Sequence, residues 1–264
     1  MNANLHMKAC LPILALLCAA QAHAQDSELA KKAANPVSNM ISVPLQNNWD
    51  CCYGPEDATK YTLNLQPVIP FSLGDNWNLI TRTIIPYVNR GEAYAGKDDA
   101  NGLGDVTQSF FFSPKSSANG VTWGIGPVFL WPTGARGVTA GQYGLGPTMI
   151  LLKQDKGLTY GFLASQTWTV GGKSTYDDVN VAFLQPFASI TMPDTTSYGV
   201  NLEASYDWEQ EEWSVPINFT VSHIFRFGKQ PVSLGLGGRY YLSTPEGGPD
   251  WGVRVTANFL FPEG

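Results

Sequence analysis

Charge is scarce in this 264-residue sequence, with Asp, Glu, Lys and Arg making up only 14% of it. Histidine is scarcer still, at three residues. Past residue 24 there is no run of about 18 apolar residues, which excludes a membrane-spanning helix. An excess of basic residues is also missing. Residues 1–24 hold Lys8 and no acid, so the remainder carries 15 basic against 22 acidic residues, a net charge of −7. That balance excludes a nucleic-acid partner, which would want a basic face. Of four cysteines, Cys10 and Cys18 precede residue 24 and only Cys51 and Cys52 follow it. His223 is the single histidine beyond that point, so neither a metal site nor any other cofactor is expected.

What is abundant is glycine, proline and aromatics: 27 Gly, 18 Pro and 12% Phe, Trp and Tyr. Such a composition fits an all-β chain with many turns. The start reads as a secretory signal peptide over 1–24. Lys8 precedes an apolar run from Ala9 to Ala20, and Ala22-His23-Ala24 is a small-residue cleavage site. Lipidation at Cys18 is disfavoured, because Leu17 before it is large. Export leads to an oxidising compartment, where Cys51 and Cys52 form either a strained vicinal disulfide or two thiols in an exposed loop.

Past the signal, 25–38 is polar and Ala/Lys-rich and is expected as a periplasmic tail or short helix. From 39 to 264 apolar and polar residues alternate in about twelve segments. The last is the clearest. Trp251, Val253, Val255, Ala257, Phe259 and Phe261 share one parity; Gly252, Arg254, Thr256, Asn258 and Leu260 share the other. Successive strand side chains face opposite ways. Its eleven residues match the roughly 9–11 that a tilted strand needs to cross a bilayer. The same parity runs through Tyr198–Trp208 and Trp213–Val221; in Asp178–Thr191 it is ambiguous. The spacing therefore predicts a single antiparallel transmembrane β-barrel of about 12 strands, with an even count and shorter connections on the periplasmic side.

The eight tryptophans sharpen this. Trp49, Trp131, Trp168, Trp208, Trp213 and Trp251 fall at the expected outer rim, Trp77 and Trp123 at the inner one. Aromatic girdles at both interfaces mark a membrane barrel. Pro67, Pro127, Pro147, Pro186 and Pro216 lie inside strands, where each removes a ladder hydrogen bond. The repeats Gly124-Ile125-Gly126-Pro127 and Gly144-Leu145-Gly146-Pro147 predict bulges or kinks. By parity Gly124, Gly126, Gly144, Gly146, Gly161, Gly235 and Gly237 face inward and are read as leaving room in the lumen.

Several strings carry a family resemblance. They are Ile41–Trp49, Leu65-Gln-Pro-Val-Ile-Pro70, Gly102-Leu-Gly-Asp105, Leu184-Gln-Pro-Phe187, Tyr206-Asp-Trp-Glu209, Trp213–Asn218, Gly228–Gly235, Gly247-Gly-Pro and Phe259-Leu-Phe-Pro262. Together they resemble the bacterial outer-membrane transporters of the MetA-pathway of phenol degradation, some members of which carry the name neuromedin U. The resemblance implies an outer-membrane barrel that passes aromatic or other hydrophobic solutes. It implies no catalytic motif, and Cys51-Cys52 departs from its pattern.

Inward charges are the candidate functional groups: Arg82, Asp105, Glu203, Asp207, Arg239 and Arg254. A lipid-facing Arg at mid-depth costs about 2–4 kcal/mol, so parity and energy agree on the lumen. These charges either pair across the lumen to hold the barrel or line a constriction that selects solutes. The expectation is a passive channel for small solutes in the outer membrane of a Gram-negative bacterium. Its partners are the membrane lipid, an unidentified solute, and the barrel-assembly machinery reached through the C-terminal strand. The alternatives are a structural or adhesive barrel without transport, or a lipid-modifying enzyme. Against the enzyme, Ser222 and His223 are adjacent and so point to opposite faces.

Overall fold

The computed structural model describes residues 26–91, 101–116 and 119–262. The expected signal peptide lies outside the described residues. A helix, α1, covers 26–33. Sixteen strand segments follow: β1 Ile41–Tyr53, β2 Ala58–Leu65, β3 Val68–Leu73, β4 Trp77–Asn89, β5 Asn101–Leu103, β6 Val106–Pro114, β7 Val121–Trp131 and β8 Gln142–Asp155. The rest are β9 Leu158–Gly172, β10 Asn180–Thr191, β11 Ser197–Leu202, β12 Ala204–Asp207, β13 Glu212–Ser214, β14 Pro216–Phe227, β15 Gln230–Tyr241 and β16 Trp251–Phe261.

Four wall strands are each split in two, as β2/β3, β5/β6, β11/β12 and β13/β14, so the described residues build twelve wall strands. Every neighbour pair is antiparallel, and β16 returns to pair with β1 from Ile41↔Phe261 to Cys51↔Trp251. The protein is a closed, twelve-stranded antiparallel β-barrel. Closure removes the sheet edges that would otherwise leave backbone groups unpaired in lipid.

Turn residues fit their turns. At Lys156-Gly157, between β8 and β9, both φ angles are positive (47° and 88°), a type I′ hairpin. At Gly228-Lys229, between β14 and β15, Gly228 alone is positive, at 63°, which is the type II′ choice. Both turns lie at the end where β1 begins and β16 finishes, called here the inner end. The opposite, outer end carries longer connections such as 132–141 and 242–250.

Alternation decides the faces. Along β8, Gln142, Gly144, Gly146, Thr148, Ile150 and Leu152 are buried while Tyr143, Leu145, Met149 and Leu151 are exposed. The exposed face is apolar, as lipid requires. Seven of the eight tryptophans are exposed, and Trp123 is half-buried edge-on to Trp77 at 5.9 Å. At the outer end Trp49 tilts on Tyr61 at 5.3 Å and Trp213 on Tyr206 at 4.8 Å.

The prolines break ladders without shifting register. Pro127 lies opposite Pro147 in an otherwise continuous β7–β8 pairing. On the flanking sides, β6–β7 skips from Ser109↔Val128 to Phe112↔Ile125, and β8–β9 from Leu145↔Trp168 to Thr148↔Ser165. Of the bulges or kinks expected at the two repeats, a bulge is present at the second, between Tyr143 and Gly144. The glycine expectation needs correction. A Cβ on Gly146 would sit 1.7 Å from the Gln166 carbonyl oxygen, and one on Gly126 1.9 Å from that of Phe110. These glycines permit close approach of neighbouring backbones; they do not enlarge the lumen. Gly235 does line a lumen cavity, and its added Cβ would meet the Ser222 Cβ at 3.3 Å. Gly146→Ala should therefore destabilise the barrel by about 2 kcal/mol, whereas Gly235→Ala should be nearly neutral. Urea unfolding midpoints of the two variants in detergent micelles check the contrast.

Candidate functional site

The site is the lumen. The charged side of its outer half is built from inward residues of β1, β2, β4, β15 and β16 together with Glu203, and β6, β7, β9 and β10 complete the wall. Glu203 interrupts the wall strand between β11 and β12. Pro216, which has no amide hydrogen, stands across from it, and the Glu203 amide donates to the Pro216 carbonyl at 3.0 Å. Pro186 removes a second ladder donor on the other side.

Glu203 takes a two-pronged bond from Arg254, with Nη1 to Oε1 at 2.8 Å and Nη2 to Oε2 at 2.9 Å. Arg254 Nε donates to Asn48 Oδ1 at 2.7 Å, and both residues are buried. Arg239 stands near two acids, 3.4 Å from Asp50 Oδ1 and 3.6 Å from Glu203 Oε2. Its guanidinium also lies over the Tyr241 ring at 5.5 Å. Arg82 Nη2 donates to Gln66 Oε1 at 2.9 Å. Four of the six charges expected in the lumen, Arg82, Glu203, Arg239 and Arg254, thus line one chamber.

The other two do not join them. Asp105 accepts hydrogen bonds from the Gly134 amide (2.9 Å), the Thr139 hydroxyl (2.7 Å) and the Ala140 amide (2.6 Å). It pins the outer loop 132–141. Asp207 accepts from the amides of Glu209 and Gln210 at an outer turn. In both, a short carboxylate at a strand end finds loop amides before it finds the lumen. Asp50 and Lys60 were missed by sequence reasoning, although they line the chamber. Their parity was legible, since Asp50 follows Asn48 and Lys60 precedes Thr62 on the polar face. Asp50 was assigned to a connecting loop because the first strand was expected to stop at Trp49, while Lys60 was expected to open the second strand and was not singled out as a lumen charge.

The lumen holds three adjoining cavities. The outer chamber, about 420 Å³, is bounded by the charged cluster. A second, about 320 Å³, shares Gln66, Arg82 and Gln185 with it and ends against Ala33–Pro36. The third, about 200 Å³, lies between Ala30, Ala33 and Ala34 and a wall of small residues that includes Ser189, Gly199 and Thr220. The inner end is partly closed by α1 and the segment after it. Leu29 and Ala30 pack with Met40, Ile224 and Leu260. Val37 packs with Val68, Ile80, Phe111, Ile150, Leu152 and Leu163. Asp26 is ion-paired with Arg226, whose Nε is 2.9 Å from its carboxylate, and Gln154 Nε2 donates to the Lys31 carbonyl at 2.9 Å. The segment expected as a tail or short helix at the entrance of the barrel is thus a helix and a following stretch folded into its inner mouth.

Cys51 and Cys52 are free thiols, with Sγ atoms 2.7 Å apart. They are not in a loop: β1 runs through them to Tyr53, with Cys52 at φ 68° in a bulge between Asp50 and Tyr53.

His223 Nδ1 lies 3.0 Å from the Thr196 hydroxyl, and the ring meets Phe225 edge-on at 4.9 Å. Among the described residues no group of three or more His, Cys, Asp or Glu is placed to hold a metal ion.

No family model matches the chain, and no curated protein is significantly similar to it. Solved structures do match. The COG4313 outer membrane channel from Pseudomonas putida F1 superposes with a TM-score of 0.63 at 14% identity, over 84% of this chain and 95% of that one. The NanC porin superposes at 0.54 and 10% identity, over 84% of this chain and the whole of the other. The fold is that of an outer-membrane β-barrel. At these identities the likeness extends to architecture alone.

Proposed function

We propose that the protein is a passive outer-membrane channel for small solutes. The observation that carries this reading is the row of adjoining cavities. A lumen intended only to brace the barrel would be filled by side chains, as in small eight-stranded barrels. Here the three cavities share lining residues from the charged outer chamber to the gap beside α1. The resemblance to the phenol-degradation transporters favours aromatic or other hydrophobic solutes within that class. In this reading the chain reaches the membrane after export, meets lipid with its apolar outer face, and is assembled through its C-terminal strand. The reading includes no catalytic step, and the place of His223 beside the turn hydroxyl of Thr196 supports it.

Reconstitution into planar bilayers tests the proposal. The wild type should give discrete current steps. Ser189→Trp, placed where the second and third cavities meet, should lower them several-fold. A folded wild type that never conducts would leave the structural barrel as the better account.

A further inference from the structure

The wall of the outer chamber is divided by chemistry. Going round the barrel, one arc holds Glu203, then Arg239 on β15, Arg254 on β16, Asp50 on β1, Lys60 on β2 and Arg82 on β4. The opposite arc, from β7 to β10, carries no charge: it presents Val128, Leu163, Val181 and Phe183 beside Ser165, Thr167 and Gln185, with Phe187 one step further inward. The arcs face each other across one cavity. Strand β10 explains why its parity was ambiguous in the sequence: Phe183 and Phe187 make its lumen face apolar as well.

The charged arc is also unbalanced. It has four cations and two carboxylates. Glu203 is held by Arg254 and approached by Arg239, and Asp50 lies beside Arg239. Among the described residues Arg82 and Lys60 have no carboxylate within 4.0 Å. Arg82 has a neutral partner, Gln66, and Lys60 lies 5.7 Å over the Tyr53 ring. Arg82 stands where the first and second cavities join. A protein with a formal net charge of −6 has thus placed surplus positive charge at the joint of its lumen. Forked guanidinium geometry suits a carboxylate, and a flat apolar body suits the Phe183 side.

We infer that the lumen binds and selects small amphiphilic anions, aromatic carboxylates in particular, with the carboxylate on Arg82 at the joint of the cavities and the ring against the apolar residues of the facing arc. The inference deepens the channel reading, but binding is measurable without transport. Benzoate is the probe, with acetate (charge without ring) and benzyl alcohol (ring without charge) as controls. Calorimetric titration of the folded full-length protein in micelles should show benzoate binding more tightly than either control. Arg82→Gln should weaken benzoate about tenfold, the loss of a charge-assisted hydrogen bond. Phe183→Ala should weaken benzoate while leaving acetate unchanged, and serves if Arg82→Gln does not fold. Lys229→Gln, in an exposed turn, should change nothing. In bilayers under a KCl gradient the wild type should favour chloride, and Arg82→Gln should lose that preference.

Benzoate binding that ignores both substitutions, or that benzyl alcohol equals, overturns the inference, and so does a cation-selective wild type. Binding with the expected pattern in a protein that never conducts would uphold the site and sink the channel. Conductance without benzoate binding would do the reverse.

Discussion

Glu203→Gln should cost the barrel roughly 3 kcal/mol of stability, because removing one partner of a desolvated pair leaves the others uncompensated. The two-pronged bond to Arg254 would lose its charge, and Arg239 would lose one of its two acid neighbours, the one at 3.6 Å. Three arginines and Lys60 would then face Asp50 alone across the chamber. Glutamine keeps the shape and one acceptor, which places the effect at the low end of the range for broken buried pairs. The side chain of Arg254 is only 5% exposed, so solvent screens little of the change. Urea unfolding in micelles measures it. A double-mutant cycle with Arg254→Gln separates pairing from packing: the double variant should recover part of the loss, since neither charge is then left without its partner. If Glu203→Gln unfolds at the wild-type midpoint, the cluster does not brace the wall.

Removing residues 26–38 should raise single-channel conductance several-fold. The segment sits in the inner mouth, and the smallest of the three cavities, about 200 Å³, is the gap beside it. Little of the barrel depends on it. The wall hydrogen bonds close between β1 and β16 without it, while the segment is held by Leu29, Ala30 and Val37, by the Asp26–Arg226 pair and by Gln154. Barrel assembly should survive, seen as the usual shift between heated and unheated samples on gels. A milder version, Arg226→Gln, removes the ion pair at the helix start. It should increase the frequency of brief openings more than their size. Equal conductance with and without 26–38 would mean that solutes already pass around the segment and that the constriction lies higher, at Arg82.

Much of the architecture was legible residue by residue. Trp251 to Phe261 were assigned as one strand with the apolar parity outward, and β16 has those bounds with Trp251, Val253 and Val255 exposed. Trp49 and Trp77 were placed at opposite rims because amphipathic rings settle at interfaces, and they lie at the outer and inner ends of β1 and β4. Less was legible where two requirements compete. Asp105 and Asp207 have inward parity but lie at strand ends, where loop amides capture a carboxylate. Asp50 was taken for a loop residue because Cys51-Cys52 and the turn beyond looked like the end of a strand; pairing with β16 carries β1 further. The inward glycines were taken as spacers, yet at Gly126 and Gly146 the neighbouring backbone occupies the space a side chain would need.

The division follows from range. Alternation, turn residues and rim aromatics are local: each acts within a few residues, so the period of two and the girdles settle the strands, their faces and the barrel class without reference to partners. Which charges meet is not local. Glu203 reaches Arg254 across 51 positions of sequence, and Arg254 reaches Asn48 across 206. Those contacts exist because the last strand closes on the first and brings β15, β16, β1 and β2 side by side. Closure likewise turns β7 to β10 to face them, giving the lumen its apolar half. The folding of 26–38 back into the inner mouth is a tertiary outcome too: a short polar segment has no period of its own, and only the presence of Ile224, Leu260 and the lower lumen cluster makes Leu29 and Val37 bury there.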